Sequence, residues 1–272
     1  AIPVLSAGPG AAWILLILNP MIVAGLFCGI TNLVPMVIGG VPNDGWNLTH
    51  LGKDPEARRI FWSLLDVMAI INRGGQFRDM PEEWFQQEER KPAADGTAST
   101  DGAADGAAGP KTDFNNAFQF SLGVYRLNYL QDTGRLDEAT DLARELLREG
   151  AKAPQLYRYE IACELIFLEL IGDRSLAEVE KLYTPELERY IKATESYPQR
   201  QRLRYAMAML YDYNETAAAQ ALEHFKEACR TYPNEGEISS EWESIGLVDC
   251  KLAEVKALAE AAANDMAEAV LD

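Results

Sequence analysis

The first 43 residues of the chain contain no Lys, Arg, Asp, Glu or His, and the first charged residue is Asp44. Within this segment, residues 11–31 read AAWILLILNPMIVAGLFCGIT. About 20 apolar residues suffice for a helix to cross a hydrocarbon core of roughly 30 Å. Pro20 removes one backbone donor and is expected to kink such a helix. We therefore predict a membrane-spanning helix; the alternative is a buried helix of a large soluble core.

Residues 32–48, NLVPMVIGGVPNDGWNL, follow the apolar stretch and carry five Gly or Pro residues. These residues disfavour a regular helix, so we expect an irregular turn around the Asp-Gly pair. Irregular backbone at membrane depth is tolerated only where protein buries it or where it lines a wet cavity. The turn is therefore predicted to border a site.

Asp44 is the candidate residue in this turn. A carboxylate near membrane depth costs on the order of 2 to 3 kcal/mol, which makes it a functional candidate. A bound metal ion would offset this cost, and neighbouring glycines allow the backbone to come close. The alternative is that Asp44 marks the exit into water and caps a turn with Asn43 and Gly45.

The charge of the chain lies entirely after residue 43. The sequence has 25 Lys+Arg and 42 Asp+Glu, a net charge of -17. An acidic surface without a basic cluster repels phosphate backbones, which disfavours nucleic acid as a partner. Lys53, Arg58 and Arg59 directly follow the apolar segment, and the positive-inside bias predicts that the rest of the chain is cytoplasmic. The four isolated cysteines are interpreted as buried apolar residues in a reducing compartment.

We predict four parts along the chain. Residues 1–52 form a transmembrane part, and residues 53–90 form a juxtamembrane amphipathic segment. Within that segment, a helix starting at Pro55 is predicted to lie on the membrane or against a core. Residues 91–113, rich in Ala, Gly and Asp, are predicted to be a flexible linker, because they offer no large apolar surface to bury. Residues 114–272 form a helical domain.

An internal repeat marks this helical domain. The spacing of an aromatic residue, an alanine and a proline recurs 35 residues later: Tyr190, Ala193 and Pro198, then Phe225, Ala228 and Pro233. Ala221 precedes the second copy, and a weaker copy contains Gly134, Leu136 and Ala139. This spacing is typical of tetratricopeptide hairpins, in which a small Ala lets two helices approach closely. We predict about three hairpins, closed by a helix near residues 241–269, that bind a protein or peptide partner. An ordinary helical bundle is the alternative.

The amino-terminal motifs resemble a known family. The segment AGPGAA at residues 7–12, one apolar helix and then residues 32–48 resemble the carboxy-terminal half of the site-2 protease core, a family of intramembrane zinc metallopeptidases. The matching residues are Asn32, Pro35, Asp44 and Gly45. Residues 74–85, GGQFRDMPEEWF, are similar to an Arg-Asp-x-Pro segment of some bacterial members. The resemblance covers about residues 6–85.

The resemblance implies a set of roles. Asp44 would be the third ligand of a catalytic Zn²⁺, and Asn32, Pro35 and Gly45 would help to bind the substrate. The family's other two ligands and its general base come from an upstream HExxH helix. Because this chain has no HExxH and begins without Met, we expect that helix before residue 1, and the chain alone is expected to be inactive.

The resemblance thus predicts a multi-pass protein of the cell membrane that cleaves membrane-protein substrates. Ala12 stands where the family has an Asn after its Gly-Pro segment, which removes one side chain that could contact the substrate. His50 and His224 are the only histidines and are too far apart for a metal-ligand pair. The competing hypothesis is a non-enzymatic scaffold, anchored in the bilayer, that presents helical repeats to partner peptides.

Overall fold

The computed structural model describes residues 9–38, 41–86, 112–172 and 176–269. The regular elements among these residues are helices apart from one pair of two-residue strands, so the predicted all-α class is confirmed. The predicted linker falls outside the described residues except for Thr112 and Asp113. Backbone contacts divide the chain into two units, residues 1–58 and residues 59–272.

The first unit contains helix α1 (Pro9–Leu33), strands β1 (Val37–Ile38) and β2 (Val41–Pro42), and helix α2 (Asp44–Leu51). The predicted apolar helix is thus present, with Pro20 inside it. Residues 16–33 of α1 are long and apolar enough to cross a membrane, and their large apolar side chains are exposed.

The irregular turn at the Asp-Gly pair is shorter in the structure than we predicted from the sequence. Strand β1 pairs antiparallel with β2, with Val37 opposite Pro42, and Asp44 is already the first residue of α2. The reason is Asn43, whose side chain accepts a hydrogen bond from the Trp46 amide and caps the helix. Gly45 is therefore a helical residue of the first turn.

Helix α3 (Pro55–Ile71) starts at the predicted proline. Ile60, Val67 and Ile71 are buried, whereas Met68 on the predicted apolar face is largely exposed. Two short 3-10 helices follow, Phe77–Asp79 and Glu82–Trp84. The end of α3 and the loop after it belong to the core of the second unit.

Eight further helices complete the second unit as described. They are α4 (Ala117–Asp132), α5 (Leu136–Glu149), α6 (Gln155–Ile171), α7 (Leu176–Leu182), α8 (Pro185–Ala193), α9 (Pro198–Leu210), α10 (Glu215–Thr231) and α11 (Glu235–Ala269). Helices α4, α5 and α6 pack in succession, α6 also packs on α9, and α9 packs on both α10 and α11. Helices α4, α6, α9 and α11, together with the end of α3 and the loop after it, supply the side chains of one cavity.

The repeat positions occupy defined places in this array. Gly134, with φ of +74°, ends the turn before α5, a conformation that glycine adopts without strain. Ala139, Ala221, Phe225 and Ala228 are buried between helices. Pro198 is the first residue of α9, where its missing amide hydrogen costs nothing.

Three details differ from the sequence analysis. Ala193, in the first copy of the repeat, is exposed, so the two copies do not pack alike. The closing helix α11 begins at Glu235, earlier than predicted, because Gly236 and the polar residues after it continue the helix. The prediction that all cysteines are buried is wrong for Cys28 and Cys250, which are exposed on α1 and α11.

Candidate functional site

Asn43 organises the surroundings of Asp44. Its Nδ2 donates to the backbone oxygens of Thr31 (2.9 Å) and Val34 (2.6 Å). Its Oδ1 accepts from the amides of Met36 (2.9 Å) and Trp46 (3.0 Å). One side chain therefore ties together the last turn of α1, the chain after it and the first turn of α2.

Gly45 allows these segments to approach. A Cβ atom at this position would lie 2.2 Å from the carbonyl oxygen of Leu33 and 2.9 Å from that of Asn32. Only glycine fits this spacing without moving the backbone. The structure thus brings Asn32 and Gly45 together through main-chain contact, and it leaves Asp44 exposed beside them.

The other expected residues of this region play different parts. Pro35 is exposed in the segment between α1 and β1. His50, at the far end of α2, stacks on Trp46 with ring centroids 3.7 Å apart, and its Nδ1 lies 2.8 Å from the Trp46 carbonyl oxygen. Within the described ranges, no group of three or more His, Cys, Asp or Glu side chains could hold a metal ion. Asp44 is a single exposed carboxylate at the start of α2.

A second candidate site lies in the helical domain. A cavity of about 620 Å³, here called the polar cavity, is lined by α4, α6, α9 and α11 together with the end of α3 and the loop after it. This volume is in the range of ligand sites, roughly 300 to 1,000 Å³. Its charged lining residues are Arg78, Asp132, Glu164, Arg202, Glu237, Glu241 and Glu243. Carboxylates therefore outnumber guanidinium groups in the lining.

Arg202 of α9 lines this cavity and is only 4% exposed. Its Nη2 donates to both carboxylate oxygens of Glu164, at 2.7 and 2.6 Å. The guanidinium carbon lies 4.1 Å from the centroid of the Phe167 ring, a cation–π contact. Gln131 donates a further hydrogen bond of 2.9 Å to Glu164. Burial opposes ionisation of Glu164, but Arg202, Gln131 and nearby Arg200 lower its pKa overall.

Glu241 of α11 is 7% exposed, and one of its carboxylate oxygens lacks a hydrogen bond. Its Oε2 lies 3.3 Å from Nε of Arg202, but neither atom makes a hydrogen bond within the described part of the chain. Burial raises the pKa of Glu241 to about 7, although the positive charge of Arg202 opposes that rise. The polar cavity therefore contains an unused buried acceptor next to an unused buried donor.

A second buried arginine stabilises the domain next to this site. Arg200 of α9 pairs with Glu160 of α6, and Tyr190 of α8 donates its hydroxyl to the same carboxylate. Burial and that hydrogen bond raise the pKa of Tyr190. Charged side chains thus join three helices inside the domain.

Sequence reasoning missed Arg202 and Glu241, because charged residues in amphipathic helices are usually solvated. One signal was available for Glu241. It lies four and seven residues before Ile245 and Val248, which are both buried on α11. Glu241 therefore falls on the apolar face of its helix, where an acidic residue is exceptional.

The comparisons with known proteins give no relative to set beside these two sites. No family model matches the chain, and neither the curated proteins nor the solved structures contain a match.

Proposed function

We propose that this chain is the distal part of an intramembrane zinc metallopeptidase of the site-2 protease type, which hydrolyses peptide bonds of membrane-protein substrates. The observation that carries the proposal is the fixed start of α2. Asn43 and Gly45 hold Asp44 against the end of an exposed apolar helix.

Two physical features support Asp44 as a metal ligand. It lies in the first turn of α2, where the helix dipole favours a negative charge. Its backbone is constrained on both sides by Asn43 and Gly45, so its side chain starts from a defined place at the beginning of α2. A constrained, exposed carboxylate suits metal binding better than one on a mobile loop.

In this proposal, Asp44 is one ligand of a catalytic Zn²⁺, and two histidines of an HExxH helix before residue 1 supply the others. A zinc ion bound there would polarise the scissile carbonyl and lower the pKa of a bound water. The roles of this chain's residues are positional. Asn32 and Gly45 shape the backbone beside the ligand, and Pro35 holds the segment that would meet the substrate. By itself the chain has no complete catalytic set and is inactive.

The remaining parts of the proposal follow from the second unit. The full protein is a multi-pass protein of the cell membrane, and its helical domain is cytoplasmic. That domain is tetratricopeptide-like and binds a protein or peptide partner, whereas nucleic acid is not a partner. The buried Ala139, Ala221 and Ala228 support the helical-hairpin reading, since small residues permit close helix packing.

A second candidate function is favoured by the polar cavity. A membrane-anchored scaffold without catalysis would need only α1 as an anchor and a binding site in the helical domain. A cavity of about 620 Å³ with unused buried polar atoms supplies such a site. The two candidates differ in whether Asp44 is needed for activity.

The test compares Asp44→Asn with Asp66→Asn in the full-length protein, with cleavage of a transmembrane reporter and bound zinc as the measurements. Asp66 is an exposed carboxylate on α3, so its substitution makes the same charge change elsewhere. We expect Asp44→Asn to lower cleavage by roughly 100-fold or more and to lower zinc content, while Asp66→Asn changes neither.

Two results would reject the protease. Equal cleavage by the two variants would remove Asp44 from the site. A full-length protein without an HExxH helix and without bound zinc would leave the scaffold as the function. Reading the coding region upstream of Ala1 tests that second point before any protein is made.

A further inference from the structure

The lining of the polar cavity has an excess of negative charge. Five carboxylates face two guanidinium groups around its wall. In a partly enclosed space this excess acts more strongly than it would in bulk water, because the effective dielectric constant is lower. The cavity therefore favours a positively charged occupant.

Most of these charges already have partners within the domain. Arg78 pairs with Asp132 and Glu243. Glu237 accepts hydrogen bonds from Asn234, at 3.0 Å, and from the hydroxyl of Tyr232. Their hydrogen-bonding needs are met without a ligand.

Glu241 differs from the other carboxylates, because its Oε2 is ion-paired with Nε of Arg202 at 3.3 Å but accepts no hydrogen bond among the described residues. Arg202 has committed its Nη2 to Glu164, and its Nε is not aligned with Glu241. The Oε2 atom of Glu241 is therefore a buried acceptor without a donor among the described residues. Leaving such a buried atom without a hydrogen bond destabilises the folded domain, more so when the group is charged. A ligand that donates a hydrogen bond here would offset that destabilisation.

The neighbouring Nε of Arg202 sets a second requirement. It is a buried donor without an acceptor, and it lies 3.3 Å from Glu241 Oε2. The carboxylate of Glu241 would repel an anion bound at this donor. A neutral carbonyl oxygen is therefore the more suitable acceptor for Nε of Arg202. The ligand should thus present a cationic donor and a neutral acceptor close together.

A peptide with a basic side chain meets both requirements. Its ammonium or guanidinium group can donate to Glu241, while a backbone carbonyl accepts from Arg202. The amide side chains of Asn72, Asn128 and Gln199 also line the cavity and can pair with further backbone groups. A free alkylamine offers the cation but lacks the carbonyl and would fill only part of the volume.

We propose that the polar cavity binds a Lys- or Arg-bearing peptide segment, with the cationic side chain on Glu241 and a backbone carbonyl on Arg202. This inference rests on the peptide partner proposed above for the helical domain and specifies its chemistry, and it goes beyond the proposed protease function. It does not depend on Asp44 or on zinc, so the two can fail separately.

The test measures peptide binding to the whole chain in detergent micelles by isothermal titration calorimetry. The probes are acetyl-Ala-Ala-Lys-Ala-Ala-amide, the same peptide with norleucine in place of lysine, and n-butylammonium. Norleucine keeps the aliphatic stem but removes the charge. We expect the lysine peptide to bind at least about tenfold more tightly than either other probe, since both lack one of the two groups.

Matched variants assign this binding to the cavity. Glu241→Gln is expected to weaken binding of the lysine peptide about tenfold. Glu227→Gln makes the same charge change on α10, where Glu227 is exposed and pairs with Arg230, and should leave affinity within about twofold. Circular dichroism checks that both variants keep their helix content.

The outcomes decide the proposal without relying on the variants alone. Equal affinity of the wild-type chain for the lysine and norleucine peptides would overturn it, whatever the fold of the variants. Butylammonium binding as tightly as the lysine peptide would overturn the peptide assignment. Unchanged affinity in Glu241→Gln would overturn the assignment of the cationic side chain to Glu241.

Discussion

The two units of this chain place polar and apolar groups in opposite ways. On α1 the large apolar side chains face outward, and Leu26 is 61% exposed. In the second unit Phe225 is completely buried, and a charged residue, Arg202, is buried with it. The comparison supports the proposal that the two units have different surroundings, with lipid around the exposed apolar side chains of α1 and water around the helical domain.

The units also share one device. In each of them a single polar side chain joins several backbone segments. Asn43 does this with four hydrogen bonds to main-chain atoms, and Arg202 does it with carboxylates from α6 and α11. The difference lies in charge: the first arrangement is neutral and independent of pH, while the second depends on ionised groups.

The largest expected effect comes from removing the buried cation. Arg202→Ala leaves Glu164 and Glu241 buried without their positive partner, and we expect a loss of about 3 to 5 kcal/mol in the free energy of unfolding. Arg230→Ala breaks only an exposed pair with Glu227 and should cost under about 1 kcal/mol. Urea unfolding followed by circular dichroism measures both. Equal losses would show that burial of Arg202 has no energetic consequence.

A matched pair of leucines tests the contrast in surroundings. Leu26 on α1 and Leu258 on α11 are 61% and 64% exposed, so they look alike by burial alone. In lipid, Leu26→Arg should make the free energy of membrane insertion of α1 less favourable by about 3 kcal/mol. In water, Leu258→Arg should lower the free energy of unfolding by about 0.5 kcal/mol or less. The measurement is the fraction of protein that stays in membranes after carbonate extraction. Similar retention of the two variants would break the comparison.

Glycine substitutions test the close contact beside Asp44. Gly45→Ala places a Cβ 2.2 Å from the Leu33 carbonyl oxygen and should destabilise the first unit by about 1 to 3 kcal/mol. Gly29→Ala on α1 meets no atom within 4 Å and serves as the control. The rate of proteolysis after α1, measured in bilayers, reports the difference. Equal rates for the two variants would contradict a backbone contact at Gly45.

The smallest effect concerns pH. Burial raises the pKa of Glu241 from its ordinary value to about 7, with Arg202 and Arg200 opposing this rise and Glu164 and Glu237 supporting it. The folded state thus binds the proton more tightly, so stability is highest at low pH and is lost as pH rises towards about 7. Between about pH 5 and 8 we expect the wild type to lose on the order of 1 to 2 kcal/mol more than Glu241→Gln. Thermal unfolding at both pH values measures this. Equal losses of stability in the wild type and in Glu241→Gln would contradict the raised pKa of Glu241.

Local signals were sufficient to predict several elements. The uncharged run predicted α1, and Pro55 predicted the start of α3. Asn43 is also a good helix cap, yet the Gly and Pro residues around it favoured an irregular turn. The hydrogen bonds from the Asn43 side chain to two carbonyl oxygens outside α2 could not be predicted from residue spacing. They depend on the path of the chain after α1.

The helical domain shows the same limit. Its repeat spacing located the buried Ala228 and Phe225, but the exposure of Ala193 could not be foreseen from the same spacing. Phe85, near the end of the predicted juxtamembrane segment, is buried in the core of the second unit, a position that depends on packing between distant parts of the sequence. The polar cavity was missed for a related reason: Arg202 and Glu241 come from helices distant in sequence, and only packing brings them together.

Two native cysteines provide the most direct test of the contrast between the units. Cys28 on α1 and Cys250 on α11 are both exposed, so both would react equally with a maleimide in water. In membrane vesicles open on both sides, we predict that a membrane-impermeant maleimide modifies Cys250 and leaves Cys28 unmodified until detergent is added, as read by peptide mass spectrometry. Equal modification of Cys28 and Cys250 in intact membranes would contradict a lipid environment for α1.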